Sequence, residues 1–275
     1  MRNALIGALL AVSAAASLAA SAVPSCYDGK LAAPAVTPPI ELLVVMDQTT
    51  LLDDDLKQSV ANQVRPFLAP GNLFSVLVFS AYTQGKYTLQ LTSGQLDVAL
   101  SPAQRSDVSK PLLVKFDQCM ARQSALATQI LGAALRTGFD GTQGDIAKSD
   151  ILGSLKDISA KVRNSSASEK VVLLVSDMLE NSSVSSFYKN QAVRKIDPAQ
   201  ELQLAVKDQF IGDFGGARVY VIGAGLLNNL DKKNAAQYRD PKTLQALATF
   251  WRTYFEKSNA QLIEFGTPAL LNQIK

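Results

Sequence analysis

Asp47 and Thr49 stand two residues apart where an apolar run ends, in ELLVVMDQTT (Glu41 to Thr50). Asp177 closes a second such run, VVLLVSD (Val171 to Asp177), and Ser149 with Asp150 opens the amphipathic segment that leads into it. Two carboxylates with several hydroxyls form an oxygen-rich, nitrogen-free donor set. Mg²⁺ or another hard divalent cation prefers that set, with water completing its shell. Asp47, Thr49, Ser149 and Asp177 are therefore candidate metal ligands, with Thr50 and Asp150 as additional ones. The competing reading is that the acids only cap helices and satisfy turn amides. The chain has no histidine. This excludes Ser-His-Asp and Cys-His catalysis, histidine general bases and histidine metal ligands.

The residues can meet only if the elements carrying them end on one edge. Leu42 to Met46 and Val171 to Val175 are continuous apolar runs, as expected for parallel strands buried on both faces. Further strands are expected at Leu73 to Phe79, Tyr87 to Leu91, Ala217 to Ile222 and Gln261 to Phe265. Helical spacing runs through Leu52, Leu56, Val60, Val64 and Phe67, with Asp53, Asp54 and Asp55 as solvated charges in the first turn. A second helix spans Phe116 to Leu135. A third holds Ile151, Leu155, Ile158 and Val162, with Ser149 or Asp150 as its N-cap. Asp197-Pro198 and Asp240-Pro241 each pair a capping acid with proline at the first helical position. Thr92 to Pro111 reads as polar and irregular, and Leu112 to Phe116 as an unassigned apolar stretch.

The alternation predicts an α/β fold: a Rossmann-like, open, mostly parallel sheet of about six strands with helices on both faces. In such a sheet every parallel strand's carboxyl end lies on one edge, and binding sites form where the strand order reverses. A reversal between the strands ending at Asp47 and Asp177 would bring both acids to one crevice.

Composition sets the context. Residues 1–22 read as a signal peptide: Arg2 supplies the positive start, Ala4 to Ala20 an uncharged stretch, and Ala20-Ser21-Ala22 a small-residue cleavage site. Retention of this segment as a membrane anchor is the alternative. Residues 23–39 carry Pro24, Pro34, Pro38 and Pro39 and read as an extended lead-in. Residues 40–275 then form a single domain, large enough for a sizeable core. The formal net charge is +3 with no dense basic block, so nucleic acid is not an expected partner. Export implies a periplasmic or secreted protein in an oxidising compartment. There Cys26 and Cys119 most simply form one disulfide, although two free thiols are also compatible with the sequence.

On these residues the chain resembles the von Willebrand factor A (vWA) family, from about Glu41 to Phe265. The family's metal-ion-dependent adhesion site is built from D-x-S-x-S after the first strand, a threonine before a mid-domain helix, and an aspartate after the fourth strand. Asp47 and Thr49 match the first two positions of D-x-S-x-S, with threonine for serine. Leu51 occupies the fifth position and cannot ligate a metal. KSDILGSL (Lys148 to Leu155) resembles the family's T-D-I-x-x-A-L segment with Ser149 at the threonine position, and VVLLVSDMLEN (Val171 to Asn181) resembles the segment carrying the last acid. The resemblance implies a non-catalytic, protein-binding or scaffold module that uses a cation to accept a partner's carboxylate, and the style of the signal segment suggests a bacterial periplasm. Tyr82, Phe187 and Tyr188 are expected in loops near the strand ends, as surface aromatics.

Two enzymatic readings compete. Asp47 at the end of an apolar first strand also resembles the nucleophile of Mg²⁺-dependent HAD-type phosphohydrolases, with Thr49 where their second aspartate stands and Lys148 as a conceivable lysine. LLVVMDQ superficially resembles the opening strand of isochorismatase-type cysteine hydrolases, but Cys119 falls within a helical pattern rather than after a strand. No P-loop or G-x-G-x-x-G is present.

Overall fold

The computed structural model describes residues 22–27, 29, 31–80, 88–142, 149–189, 192–227 and 240–275. The segment read as a signal peptide, apart from Ala22, lies outside the described residues, as do Tyr82 and Lys148. Among the described residues no helix is long and apolar enough to cross a membrane.

Strand β1 (Ile40–Asp47) is followed by helix α1 (Asp54–Val64), which tightens into a 3-10 turn at Arg65–Phe67. Then come β2 (Leu73–Phe79), β3 (Thr88–Gln95), α2 (Pro102–Ser106), α3 (Lys110–Asp140), α4 (Ile151–Arg163) and β4 (Glu169–Val175). A two-residue-per-strand hairpin, β5 (Tyr188–Lys189) and β6 (Ala192–Val193), precedes α5 (Pro198–Lys207), β7 (Ala217–Ile222), α6 (Pro241–Lys257) and β8 (Ala260–Phe265). The main sheet has six strands in the order β3-β2-β1-β4-β7-β8. All neighbours are parallel except β3, which runs antiparallel to β2 at one edge. From β1 the chain builds outward to β2 and β3, then crosses to the other side for β4, β7 and β8. The order therefore reverses between β1 and β4. This is a Rossmann-like, vWA-like topology.

Side chains alternate across the sheet, and the two sets build two cores. Leu43, Val45, Val172, Leu174, Val219 and Val221 face α4, α5 and the aromatic side of α6. Leu42, Val44, Met46, Val171, Leu173, Val175, Tyr220 and Ile222 face α1, α3 and the C-terminal residues Leu270 and Ile274. Gly138 of α3 lies so close to β1 that a Cβ there would stand 2.6 Å from Met46 Sδ, so glycine permits this helix-sheet approach.

The middle of the chain departs from expectation. The third strand reaches Gln95 rather than ending at Leu91, and the stretch read as irregular also contains α2, which Ser101 and Gln104 close with a capping box. Leu112 to Phe116 belongs to α3, which starts at Lys110 with a proline in its first turn and runs for 31 residues. The physical reason is a change of partner along one helix. Its first turns, with Leu112, Leu113, Phe116 and Met120, serve a small separate cluster with Tyr27, Leu31 and Leu100, while Ala127, Leu131 and Leu135 serve the main core.

The N-terminal segment before β1 is tied down to the body of the domain. Cys26 and Cys119 are disulfide-bonded across a sequence separation of 93. Asp97 receives the Ser25 hydroxyl and the Cys26 amide, and Gln123 donates to both Asp97 and the Pro24 carbonyl.

Candidate functional site

The reversal point holds the expected acids. Asp47 is the last residue of β1 and only 2% exposed. Its Oδ1 accepts from the Thr49 amide at 2.9 Å and the Thr49 hydroxyl at 2.6 Å. Its Oδ2 accepts from the Ser149 hydroxyl at 3.1 Å and the Ser176 hydroxyl at 2.9 Å. Four donors from three chain segments thus occupy the carboxylate, which is near its full acceptor capacity.

Local structure explains each donor. Thr49 reaches back two residues in an Asx-type turn. Ser149 is fastened by reciprocal backbone bonds with Asn181, its amide donating to the Asn181 carbonyl at 3.2 Å and its carbonyl accepting from the Asn181 amide at 2.9 Å. That leaves capping of α4 to Asp150, whose carboxylate accepts from the Gly153 amide at 2.9 Å. Ser176 comes from register. Met46 pairs with Val175, so the next residues along the parallel strands, Asp47 and Ser176, lie side by side on one face. Ser176 was not among the residues singled out from sequence. The register of two apolar runs was the signal that could have found it.

Asp177 follows directly and remains partly exposed. Its amide donates to Thr50 Oγ1 at 2.9 Å, its carbonyl accepts from the Gly225 amide at 2.8 Å, and its Oδ1 accepts from the Leu179 amide at 2.8 Å. Gly223, at φ +103°, lets the β7 loop approach closely: a Cβ there would lie 3.1 Å from the Ser176 carbonyl oxygen. Thr50 and Asp150 are therefore placed beside the site but engaged otherwise, one with a backbone amide and the other with its own helix. Asp53 caps α1 by accepting from the Leu56 amide at 2.9 Å, and Asp54 and Asp55 are exposed in the first turn.

Burial raises the pKa of Asp47, against the pull of the hydrogen bonds from Thr49, Ser176 and Ser149. Burial also lifts Asp177 well above the ordinary carboxylate range, with the Asp47 charge adding to it and the Leu179 amide opposing. Among the described residues neither acid forms a salt bridge, and no three acidic, histidine or cysteine side chains gather as a metal-binding group. The site is thus two carboxylates and a ring of hydroxyls.

Beneath it lies Glu180, fully buried. Its Oε2 accepts from the Leu152 amide at 2.9 Å, at the N-terminus of α4, while Oε1 has no hydrogen-bond partner among the described residues. Burial pushes this carboxyl up to about 8; the Ser182 hydroxyl and the Leu152 amide pull the other way.

The aromatic expectations divide. Phe187, read as a surface aromatic, is fully buried against Phe250 and Trp251, because the loop after β4 folds back over α6 and needs an apolar anchor there. Tyr188 is half-buried, and burial followed by the Asp177 charge raises its phenol pKa. Cys119 lies in α3 as a disulfide partner rather than after a strand, which removes the cysteine-hydrolase reading.

These elements define a doubly wound α/β domain with a polar site at the strand carboxyl ends. No family model and no curated protein matches the sequence. Among solved structures, the chain is similar to the pilus adhesin SpaC of Lactobacillus rhamnosus GG, at 16% identity and a TM-score of 0.36 over 82% of this chain and 31% of that chain. The open conformation of the same adhesin gives 16% identity and a TM-score of 0.35 over 82% and 30%. An aerotolerance-related membrane protein of Bacteroides fragilis NCTC 9343, carrying multiple mutations to serines, gives 8% identity and 0.34 over 85% of this chain and 92% of that one. The chain spans about a third of the adhesin's length.

Proposed function

We propose that the chain is an exported, non-catalytic protein-binding module of vWA type, and that its strand-end site contacts the partner through a divalent cation. The observation that carries this reading is the direction of the Thr49 and Ser149 hydroxyls. Both donate their protons to Asp47. A hydroxyl oriented in this way offers its oxygen, not its proton, to a further ligand. With the Asp177 carboxylate they form an all-oxygen set suited to Mg²⁺ or Mn²⁺. A cation there would also offset the Asp47 charge that adds to the raised pKa of Asp177. Thr49, Ser149 and Asp177 would hold it, with Asp47 orienting the two hydroxyls. When bound, it would offer a Lewis-acidic position to a carboxylate oxygen of a protein partner.

The phosphohydrolase alternative is supported less well. Asp47 is buried and its carboxylate already accepts four hydrogen bonds, so it is poorly placed to attack phosphorus. Export to the periplasm or beyond is part of the proposal, resting on the composition of residues 1–22.

Titration with Mn²⁺, followed by water-proton relaxation, tests the cation. The expected result is saturable binding by the wild-type chain and loss of at least tenfold in affinity for Asp177→Asn, the cost of about 1.4 kcal/mol of ligand interaction. No binding at millimolar Mn²⁺ would sink the cation reading. Turnover of a generic phosphate ester with Mg²⁺ that vanishes in Asp47→Asn would replace the module reading by the enzymatic one.

A further inference from the structure

Trp251 is the chain's single tryptophan and is fully buried in α6, among Phe187, Phe250, Tyr254 and Phe255. A buried indole N–H requires an acceptor. Its Nε1 donates to the Met178 carbonyl oxygen at 2.9 Å. Met178 has φ +59°, the left-handed region that a side-chain-bearing residue rarely adopts. Such conformations persist only where the surroundings fix them. Here the Met178 amide donates to Ser176 Oγ at 3.0 Å, and the side chain is itself fully buried.

The consequence lies in the next peptide unit. The Met178 carbonyl and the Leu179 N–H belong to one planar group, so fixing one fixes the other. That Leu179 N–H is the donor to Asp177 Oδ1 at 2.8 Å. The indole therefore grips one end of a rigid plane whose other end holds the carboxylate. On the opposite flank, Ser176 links the Met178 amide to Asp47 Oδ2.

We infer that Trp251 is a positioning residue for the two-carboxylate site: from α6 it clamps the Met178–Leu179 peptide and thereby sets the direction of the Asp177 carboxylate. Its relevance to binding rests on the reading that Asp177 belongs to the site; the clamp itself does not. Without the indole N–H the Met178 carbonyl loses this donor, and the plane is freer to rotate away from Asp177.

The test compares Trp251→Phe with Phe255→Leu in the exported chain, by amide NMR without metal and by Mn²⁺ titration. Phe255→Leu loosens the same aromatic cluster but keeps the indole. In Trp251→Phe, the Leu179 amide is expected to shift and to lose about tenfold in exchange protection, as for one buried hydrogen bond. Mn²⁺ affinity is expected to fall by a similar factor. Phe255→Leu should leave both near wild type. An unchanged Leu179 amide in Trp251→Phe, or equal changes in the two variants, overturns the inference. A shifted Leu179 amide with no Mn²⁺ binding by wild type supports the clamp and removes the cation reading instead. If Trp251→Phe does not fold, Asp177→Ala decides: removing the acceptor of the Leu179 amide frees the plane at its far end and should move the Trp251 indole N–H resonance, and an unmoved resonance overturns the clamp.

Discussion

Ser176 donates its hydroxyl proton to Asp47 Oδ2 at 2.9 Å, across the pair of strands where the order of the sheet reverses. The Ser176 hydroxyl oxygen in turn accepts from the Met178 amide at 3.0 Å. One buried hydroxyl thus serves both acidic segments of the site. Removing it in Ser176→Ala leaves a buried carboxylate one donor short and a buried amide without its acceptor. The expected loss is about 1–3 kcal/mol of stability. Urea denaturation monitored by circular dichroism measures it, and a variant within 0.5 kcal/mol of wild type, roughly the usual range for surface changes, would show that the contact contributes little.

Much of this arrangement was legible in the sequence because strand ends are. The runs ending at Asp47 and Asp177 are too uniformly apolar to be anything but buried strands, and an acid at the end of such a run marks the edge of the sheet. Ser149 was legible through the helix it precedes, though which of Ser149 and Asp150 would cap that helix was not. Ser176 and the Trp251–Met178 bond were not legible. The first depends on the register between β1 and β4, the second on how α6 lies over the loop after β4, and neither is written in local periodicity. The N-terminal part of α3 was hidden for a related reason: its apolar residues serve a second small cluster, so they do not continue the stripe that faces the main core.

Glu180 gives the protein a pH dependence of defined sign. Its carboxyl has a pKa of about 8 when folded, against 4.5 for an ordinary glutamate. Between these values the folded state holds a proton that the unfolded chain has released, so unfolding is favoured as pH rises. The stability contribution is fully present below about 4.5 and is lost as pH passes through about 8, with an amplitude on the order of a few kcal/mol. The raised acids Asp47 and Asp177 act in the same direction, so the comparison must isolate Glu180. In Glu180→Gln, which keeps the carbonyl acceptor for the Leu152 amide, the fall in stability from pH 5 to pH 9 should be smaller by roughly that amount. Equal pH slopes in the two proteins would mean that Glu180 titrates near its ordinary value.

The disulfide fastens the lead-in to α3 and closes a long loop, which contains β1, β2 and β3. Breaking it by Cys26→Ser with Cys119→Ser is expected to cost about 2–5 kcal/mol. The loss has a location as well as a size. Amide exchange should rise first at Cys26 and Tyr27, and around the cluster of Leu31, Leu100 and Phe116, before the central strands respond. Denaturation with and without reductant, followed by amide exchange, separates this local release from a global effect. Uniform exchange across β1 and β4 would show that the lead-in and the sheet unfold as one unit.

Leu51 provides the sharpest test of the cation, because it stands where the resembled motif carries a second serine. It is 46% exposed and follows Thr50, whose hydroxyl accepts the Asp177 amide, so its backbone is already pinned beside the site. Exposure means that Leu51→Ser sacrifices little burial, and its effect on stability should stay within about 0.5 kcal/mol. If the cation sits among Thr49, Ser149 and Asp177, a hydroxyl at position 51 adds one more oxygen ligand. Mn²⁺ affinity should then rise roughly tenfold, the equivalent of one interaction of about 1.4 kcal/mol. The gain must also depend on Asp177, so Leu51→Ser combined with Asp177→Asn should lose it. A gain that survives Asp177→Asn would place the metal elsewhere. No gain, in a chain whose wild type does bind Mn²⁺, would mean that a side chain at residue 51 does not reach the cation.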